Sequence, residues 1–225
     1  MTQIINVLIL DDHPLIADAY KMAINHVSLT DKNLKFNINV AHDCDSALEK
    51  INEAKKGLKL DLVLLDISIP PSKNRDLLSG DDVGAKLKKE FKNVKIIVIT
   101  SHNNNYKLCN IFKSLNPDGF LVKTDISIQE LVTAITNVLN DTPYYSKTVT
   151  RLIRSHMSSQ IVIDKRDRMI LYHLSQGAKM KDLPEIVHLS IAGIEKRKRQ
   201  LRDVFNTPQK DDKALIDRAK ESGFI

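Results

Sequence analysis

The sequence predicts an α/β domain built on a doubly wound, five-stranded parallel sheet, followed by a smaller all-α domain. Three observations carry this. Across residues 1–140, short apolar runs alternate five times with amphipathic stretches, the rhythm of a parallel sheet covered by helices on both faces. Beyond residue 160 no strand pattern recurs, and four helical patterns follow. Charge divides along the chain as well: residues 1–145 hold 17 Lys/Arg and 18 Asp/Glu, a net of −1, whereas residues 146–225 hold 17 and 10, a net of +7. A basic C-terminal third suits a polyanionic partner.

Residues 4–10 (IINVLIL) form a nearly continuous apolar run and read as a strand buried on both faces. Residues 14–27 follow as a helix with Pro14 in its first turn, where a missing N–H costs nothing. Residues 36–41, 61–66, 94–100 and 119–122 read as the next four strands. Residues 46–54, 83–91, 106–115 and 128–139 are the helices between and after them. From residue 140 the rhythm breaks. Asp141, Thr142 and Pro143 open a polar, basic stretch that reads as a linker, with room for a short helix through Val149, Leu152 and Ile153. Helical patterns then cover 164–176, 181–188, 190–205 and 211–222, with Gly177 suited to a helix end and Ser190 to an N-cap. The expected division is 1–140, a linker over 141–160, and 161–225.

Several classes are disfavoured. No apolar run reaches the 18 or more residues that span a bilayer. The N-terminal MTQIINVLILDDH lacks the regions of a signal peptide. Cys44 and Cys109 match no metal spacing and read as reduced core thiols, which places the protein in the cytoplasm without a membrane partner. No Gly-x-Gly-x-x-Gly or P-loop pattern supports a nucleotide enzyme.

In a doubly wound sheet, function gathers at the C-terminal ends of the strands. The first strand here ends in Asp11 and Asp12, the third in Asp66, the fourth in Thr100 and Ser101, and Lys123 follows the fifth. Clustered carboxylates repel one another and suit Mg²⁺, a hard cation that pairs with phosphate. Asp66 is then a candidate nucleophile forming an acyl phosphate. Thr100 can donate to a phosphoryl oxygen, and Lys123 can pair with it as a point charge.

Asp11-Asp12-His13-Pro14, Asp66 followed by Ile67, Ser68, Ile69 and Pro70, Thr100-Ser101, and Lys123 resemble the receiver domain of two-component response regulators over residues 4–140. The Asp-Asp-His-Pro form resembles the subfamily with a LuxR/FixJ-type DNA-binding domain. The resemblance implies phosphoryl transfer from a sensor histidine kinase to Asp66. It implies Mg²⁺ held by Asp12, Asp66 and the main-chain carbonyl of Ser68, with Asp11 acting partly through water. It further implies that Thr100 and Lys123 close on the phosphate, with Phe120 as the switch aromatic. His13 reads as structural. One departure stands out: the glycine that usually follows the proline by about four residues is delayed to Gly80 by PPSKNRDLLSG. This apparent insertion is expected to bring Lys73, Arg75 and Asp76 near the acidic rim. There it tunes kinase access or acyl-phosphate lifetime, or is simply a tolerated surface loop.

Residues 189–202 are the most basic in the chain. Helical spacing places Ile194, Leu201, Val204 and Phe205 on one apolar face, with Lys196, Arg199 and Arg202 elsewhere and Arg197 and Lys198 flanking. Such a helix, preceded by another and a short turn, forms a helix-turn-helix pattern that can enter the major groove. Residues 164–206 resemble the LuxR-type domain through Gly177, Lys181-Asp182-Leu183, Leu189-Ser190, Ile194 and Leu201. Departures are Gly193 for the usual threonine, Glu195 for a basic residue, Arg197 for a frequent histidine, and Pro184 within the second helix. Residues 211–225 resemble the trailing helix of a subset of these regulators. The resemblance implies that Glu195, Lys196 and Arg199 face base edges. Lys179, Lys181, Arg197, Lys198 and Arg202 suit phosphates.

The leading expectation is therefore a transcription regulator switched by phosphorylation, binding double-stranded DNA as a homodimer when phosphorylated, and not an enzyme beyond slow self-dephosphorylation. Two alternatives differ in class. A phosphatase using Asp66 as nucleophile wants a second acid two positions on, where Ser68 stands. A receiver-shaped module that is never phosphorylated has no need of the complete Asp66, Thr100 and Lys123 set.

Overall fold

A computed structural model of the chain describes residues 2–57, 59–103, 105–158, 163–207 and 211–225. It divides into two compact units, Met1–His102 with Ile111–Val149, and Asn103–Asn110 with Thr150–Ile225.

The first unit holds a parallel sheet of β1 (Gln3–Leu10), β2 (Leu34–Ala41), β3 (Leu62–Asp66), β4 (Lys95–Thr100), β5 (Gly119–Val122) and β6 (Tyr144–Tyr145). The strand order is β2-β1-β3-β4-β5-β6, and every pair is parallel. The sheet thus has six strands where five are expected from sequence. The sixth is two residues long, too short to show a period of two, and is held by pairing with the open edge of β5 at Gly119 and Phe120. The Tyr144 hydroxyl also donates to Glu130 at 2.6 Å.

Helices α1 (Pro14–Thr30), α2 (Cys44–Lys55), α3 (Gly80–Glu90), α4 (Asn105–Leu115) and α5 (Ile128–Leu139) connect the strands. Alternate strand residues point to opposite faces. Ile5, Val7, Ile9, Leu62, Leu64, Ile97, Ile99 and Leu121 pack with α1 and α5. Their neighbours Leu8, Leu10, Val63, Leu65, Val98 and Phe120 are also buried, so both faces are covered. Local chemistry sets the helix starts: Pro14 opens α1, Asp43 and Ser46 form a capping box on α2, and Ser127 caps α5.

The stretch expected as a linker contains β6 and a helix, α6 (Lys147–Ser158). Its last two residues, 159 and 160, lie outside the described residues. The helical region continues with α7 (Lys165–Ser175), α8 (Leu183–Val187), α9 (Ile191–Val204) and α10 (Asp212–Glu221). Leu171, Leu201, Phe205, Leu215, Ala219 and Phe224 form one core cluster, and Ile170, Leu183, Val187 and Ile194 another. Helix α8 is shorter than the 181–188 expected, because Pro184 takes a first-turn position and the helix starts at Leu183. His188 then turns left-handed, with φ of 52°, and Ser190 caps α9 by accepting from the Gly193 N–H. Val204 is not on the buried face. From Ile194 it lies about 80° around the helix, whereas Phe205 returns to within about 20° and fills the core.

Candidate functional site

The strand order reverses between β1 and β3, which opens the C-terminal rim of the sheet at that point. Asp11 and Asp66 stand there, and both are buried. Register places Asp66 opposite Ile99 and Thr100 opposite Val122, so Thr100 ends the strand next to β3 and Lys123 follows the strand beyond it. Lys123 lies in a tight turn, Lys123–Asp125, directly after β5. Its Nζ donates to Asp66 Oδ2 at 2.6 Å and to Asp11 Oδ2 at 2.9 Å. The Ser68 N–H donates to Asp66 Oδ1 at 3.0 Å, and the His13 N–H donates to Asp11 Oδ1 at 2.9 Å. Thr100 is buried, and its Oγ1 accepts from the His102 N–H at 3.1 Å, leaving its own proton free to donate. Ser101 is exposed beside it.

The charge balance is unfavourable as it stands. One ammonium serves two buried carboxylates, and Asp12 adds a third negative charge. Burial alone would lower the Lys123 pKa, but hydrogen bonds and charge from Asp66 and Asp11 outweigh it and hold Lys123 above its ordinary value. Asp12 Oδ1 is shut from solvent and accepts no hydrogen bond among the described residues, with the His13 imidazole Nδ1 2.7 Å away as its ion-pair neighbour. Asp11, Asp12 and His13 present ligand atoms within 4.8 Å of one another. An excess of carboxylate oxygen with an unsatisfied buried atom is a donor set that fits a hard divalent cation.

Gly80 shows where the delayed glycine belongs. Its N–H donates to Ile67 O at 3.0 Å, and a Cβ there would fall inside the van der Waals radius of the Asp66 carbonyl oxygen. The glycine therefore keeps its place against the strand end, and the insertion lies between it and Pro70. The loop closes on itself: buried Ser72 donates its N–H to Leu77 O at 2.9 Å, and its Oγ accepts from the Leu77 N–H at 3.0 Å. The Lys73 N–H anchors the loop to Asp45 Oδ2 in the first turn of α2. Lys73, Arg75 and Asp76 are exposed. Gly80→Ala is expected to destabilise the protein by about 1–3 kcal/mol through backbone overpacking. It should also slow labelling of Asp66 by acetyl phosphate; a thermal melt and a labelling time course check both.

Phe120 is fully buried and stacks on Phe112 of α4, ring centroids 6.3 Å apart. Phe112 in turn meets Tyr145 of β6 edge-on at 5.5 Å. Asp125, which the sequence reading did not single out, accepts from Ser146 Oγ at 2.7 Å and from the Thr148 N–H at 2.8 Å. It ties the turn after Lys123 to the start of α6.

In the helical region, Glu195, Lys196 and Arg199 are exposed on one side of α9, and Lys179 and Lys181 are exposed before α8. The other three basic residues expected to meet phosphates are engaged within the domain. Arg197 Nη1 pairs with Asp164 Oδ2 and Asp167 Oδ1, both at 2.7 Å. Arg202 Nη2 pairs with Asp212 Oδ1 at 2.7 Å. Lys198 is buried, and its Nζ donates to Asp212 Oδ2 at 2.7 Å. The placement of Lys198 on an outward, phosphate-facing surface is corrected: it lies about 40° from Ile194 around the helix, inside the core stripe.

Burial alone would raise the Asp212 pKa, but Lys198 and then Arg202 outweigh it and hold the carboxyl below its usual range. A depressed carboxyl contributes stability that is complete above its unfolded pKa and is lost as pH falls toward the folded one. The melting temperature of wild type should therefore exceed that of Asp212→Asn near neutrality. The gap should narrow as pH falls below about 4, which melts recorded across that range will show.

A parallel α/β domain that gathers two buried aspartates and a lysine at its strand-end rim, in one chain with a helix-turn-helix, defines a receiver-type regulator. Residues 7–136 match the family model of the response regulator receiver domain, and the chain belongs to that family. The oxygen regulatory protein NreC of Staphylococcus epidermidis is 22% identical over 219 residues, covering 92% of this chain and 93% of its own. NreC of Staphylococcus haemolyticus is 23% identical over 217 residues, with the same coverage. Among solved structures, the response regulator RcsB in complex with DNA superposes with a TM-score of 0.62 at 20% identity, covering 97% of this chain and 99% of that one. RcsB of Salmonella enterica serovar Typhimurium, bound to the promoter P1flhDC with the phosphomimetic BeF3-, gives a TM-score of 0.60 at 20% identity, covering 96% and 98%. At these identities the structural likeness is one of fold.

Proposed function

We propose that this response regulator accepts a phosphoryl group on Asp66 from a sensor histidine kinase and thereby controls DNA binding by its C-terminal helix-turn-helix. The observation that carries the reading is the Asp66 carboxylate, held by the Ser68 N–H on one oxygen and the Lys123 ammonium on the other. A carboxylate oxygen of Asp66 attacks phosphorus, the O–P bond forms, the N–P bond of the phosphohistidine breaks, and the imidazole leaves. Lys123, already at the site, follows the negative charge onto the phosphoryl oxygens. Thr100 turns its free proton toward another of them. Asp12, Asp66 and the Ser68 carbonyl, with Asp11 behind, are the groups suited to Mg²⁺, which when bound offsets the charge of the incoming phosphoryl group.

Phe120 is the proposed readout. Thr100 lies on β4 two positions beyond Val98, the strand neighbour of Phe120, and Phe112 and Tyr145 lie next in line from the ring. A small shift there biases a two-state domain. Glu195, Lys196 and Arg199 then present the base-reading surface, while Lys179 and Lys181 set position on phosphates. A homodimer on a twofold-symmetric site fits the class, and RcsB dimers have been seen on DNA. The proposed location is the cytoplasm; among the described residues no helix is long and apolar enough to cross a membrane. Acetyl phosphate with Mg²⁺ should add one phosphoryl group per chain and tighten or release operator DNA. Steady turnover of a phosphate ester would point instead to a phosphatase, and no response at all to a module that is never phosphorylated.

A further inference from the structure

Glu195 is an acid in the most basic stretch of the chain. It is exposed on α9, and among the described residues no cation pairs with it. The acids that do meet α9 come from elsewhere: Asp164, Asp167 and Asp212 hold Arg197, Lys198 and Arg202 at 2.7 Å. Arg199 stands four residues beyond Glu195, the spacing at which a glutamate and an arginine pair along a helix, yet no ion pair joins them. Helical geometry sets Glu195, Arg199, Ala192 and Lys196 in that order across a sector of about 100°. All four are exposed, and the small Ala192 lets the helix surface between the charged side chains come close to a partner.

DNA gives an exposed carboxylate little to bind. Phosphates line both sides of the groove and repel it, so it weakens every sequence-independent contact. In the major groove only two bases present hydrogen-bond donors, cytosine through its N4 amino group and adenine through N6; guanine and thymine present acceptors. The adenine amino group sits beside the N7 acceptor, a pair that suits an amide and repels a carboxylate, whereas cytosine N4 suits a carboxylate. We propose that Glu195 is a specificity-determining residue that accepts a hydrogen bond from cytosine N4, so that the operator carries a cytosine at one fixed position. Arg199 lies about 6 Å further along the helix, against about 3.4 Å per base pair, and takes a guanine within about two base pairs of that cytosine. This inference rests on the reading of α9 as the base-reading helix given above.

The test lets full-length wild type, Glu195→Ala, Arg199→Ala and the double variant of Lys196→Ala with Arg199→Ala each select from a random-sequence duplex library, with and without acetyl phosphate and Mg²⁺. Glu195→Ala should melt with wild type, since the side chain is exposed and unpaired. Wild type should select a cytosine at a position where Glu195→Ala accepts any base, the rest of the site unchanged. Replacing that cytosine by 2-pyrimidinone, which lacks N4, should weaken wild type about 5- to 150-fold and leave Glu195→Ala unaffected. Glu195→Ala should also bind random DNA more tightly than wild type, because a negative charge has left the surface. An unchanged cytosine preference in Glu195→Ala overturns the proposal. So does a relaxed position that held any base other than cytosine. A cytosine preference that vanishes in Arg199→Ala overturns it too, as the mark of an acid that only orients that arginine. If the double variant selects and binds as wild type does, the reading of α9 falls and this inference with it; if the double variant fails and Glu195→Ala selects the wild-type site, only the inference falls.

Discussion

Asp66→Asn is expected to abolish phosphoryl labelling and to leave DNA binding deaf to acetyl phosphate. A carboxamide is not a nucleophile toward phosphorus, and no other carboxylate in the site has the same setting. Asp11 is fully buried with both oxygens engaged, and Asp12 faces His13. The fold should survive, because Lys123 keeps Asp11 as a partner at 2.9 Å and the amide oxygen can still accept from the Ser68 N–H. Coupling between sites in switch proteins is commonly about 5- to 150-fold in affinity. Wild type should shift its operator affinity within that range on phosphorylation, whereas Asp66→Asn should not shift. Mass spectrometry of the intact chain and a DNA-binding titration, each with and without acetyl phosphate, read both effects. Labelling of the variant would move the acceptor elsewhere. DNA binding indifferent to both treatment and mutation would end the switch model.

Arg199→Ala, alone and with Lys196→Ala, is expected to weaken operator binding at unchanged melting temperature. Both side chains are exposed on α9 and have no ion-pair partner among the described residues. A bidentate arginine–guanine contact contributes about 1–3 kcal/mol of discrimination, so the loss for Arg199 should be roughly 5- to 150-fold on the operator and small on random DNA. If Lys196 meets a phosphate instead, its loss should be uniform across sequences and reduce the salt slope by about one. Lys198→Ala is the contrasting variant. It leaves Asp212 with Arg202 only and opens space in the core stripe, so it should cost about 1–3 kcal/mol of stability. Its DNA binding should be lost only to the extent that the domain unfolds. Unchanged operator affinity in the double variant would reject α9 as the recognition helix.

Much of the rim was legible residue by residue. Asp11, Asp66, Thr100 and Lys123 each end or follow an apolar run, and the topology of a parallel sheet brings successive strand ends to one side. Gly80 was legible as a delayed glycine, but its reason, contact with the Asp66 carbonyl, lies in the backbone. The insertion was read as carrying Lys73, Arg75 and Asp76 toward the acidic rim. Its observed ties are the Ser72–Leu77 closure and the anchor on Asp45. The two residues of β6 gave no periodic signal. Lys198 was readable in principle, since Ile194, Lys198, Leu201 and Phe205 follow the i, i+4, i+7, i+11 spacing of a buried stripe. Its charge argued for the surface, and the acid that reconciles charge with burial lies on another helix.

The residue pattern by itself determined the alternation of strands and helices, the chemistry of the strand-end rim and the basic character of α9. Apolar periodicity, caps and turn residues act within a few positions of one another, which is why they can be read along the chain. Only the tertiary structure decided the sixth strand, the contact of Gly80 with the Asp66 carbonyl, and the division of α9 into basic residues that face outward and those held by Asp164, Asp167 and Asp212. Each depends on groups far apart in sequence meeting in a buried place, where an unpaired charge or donor is costly and the partner is set by packing.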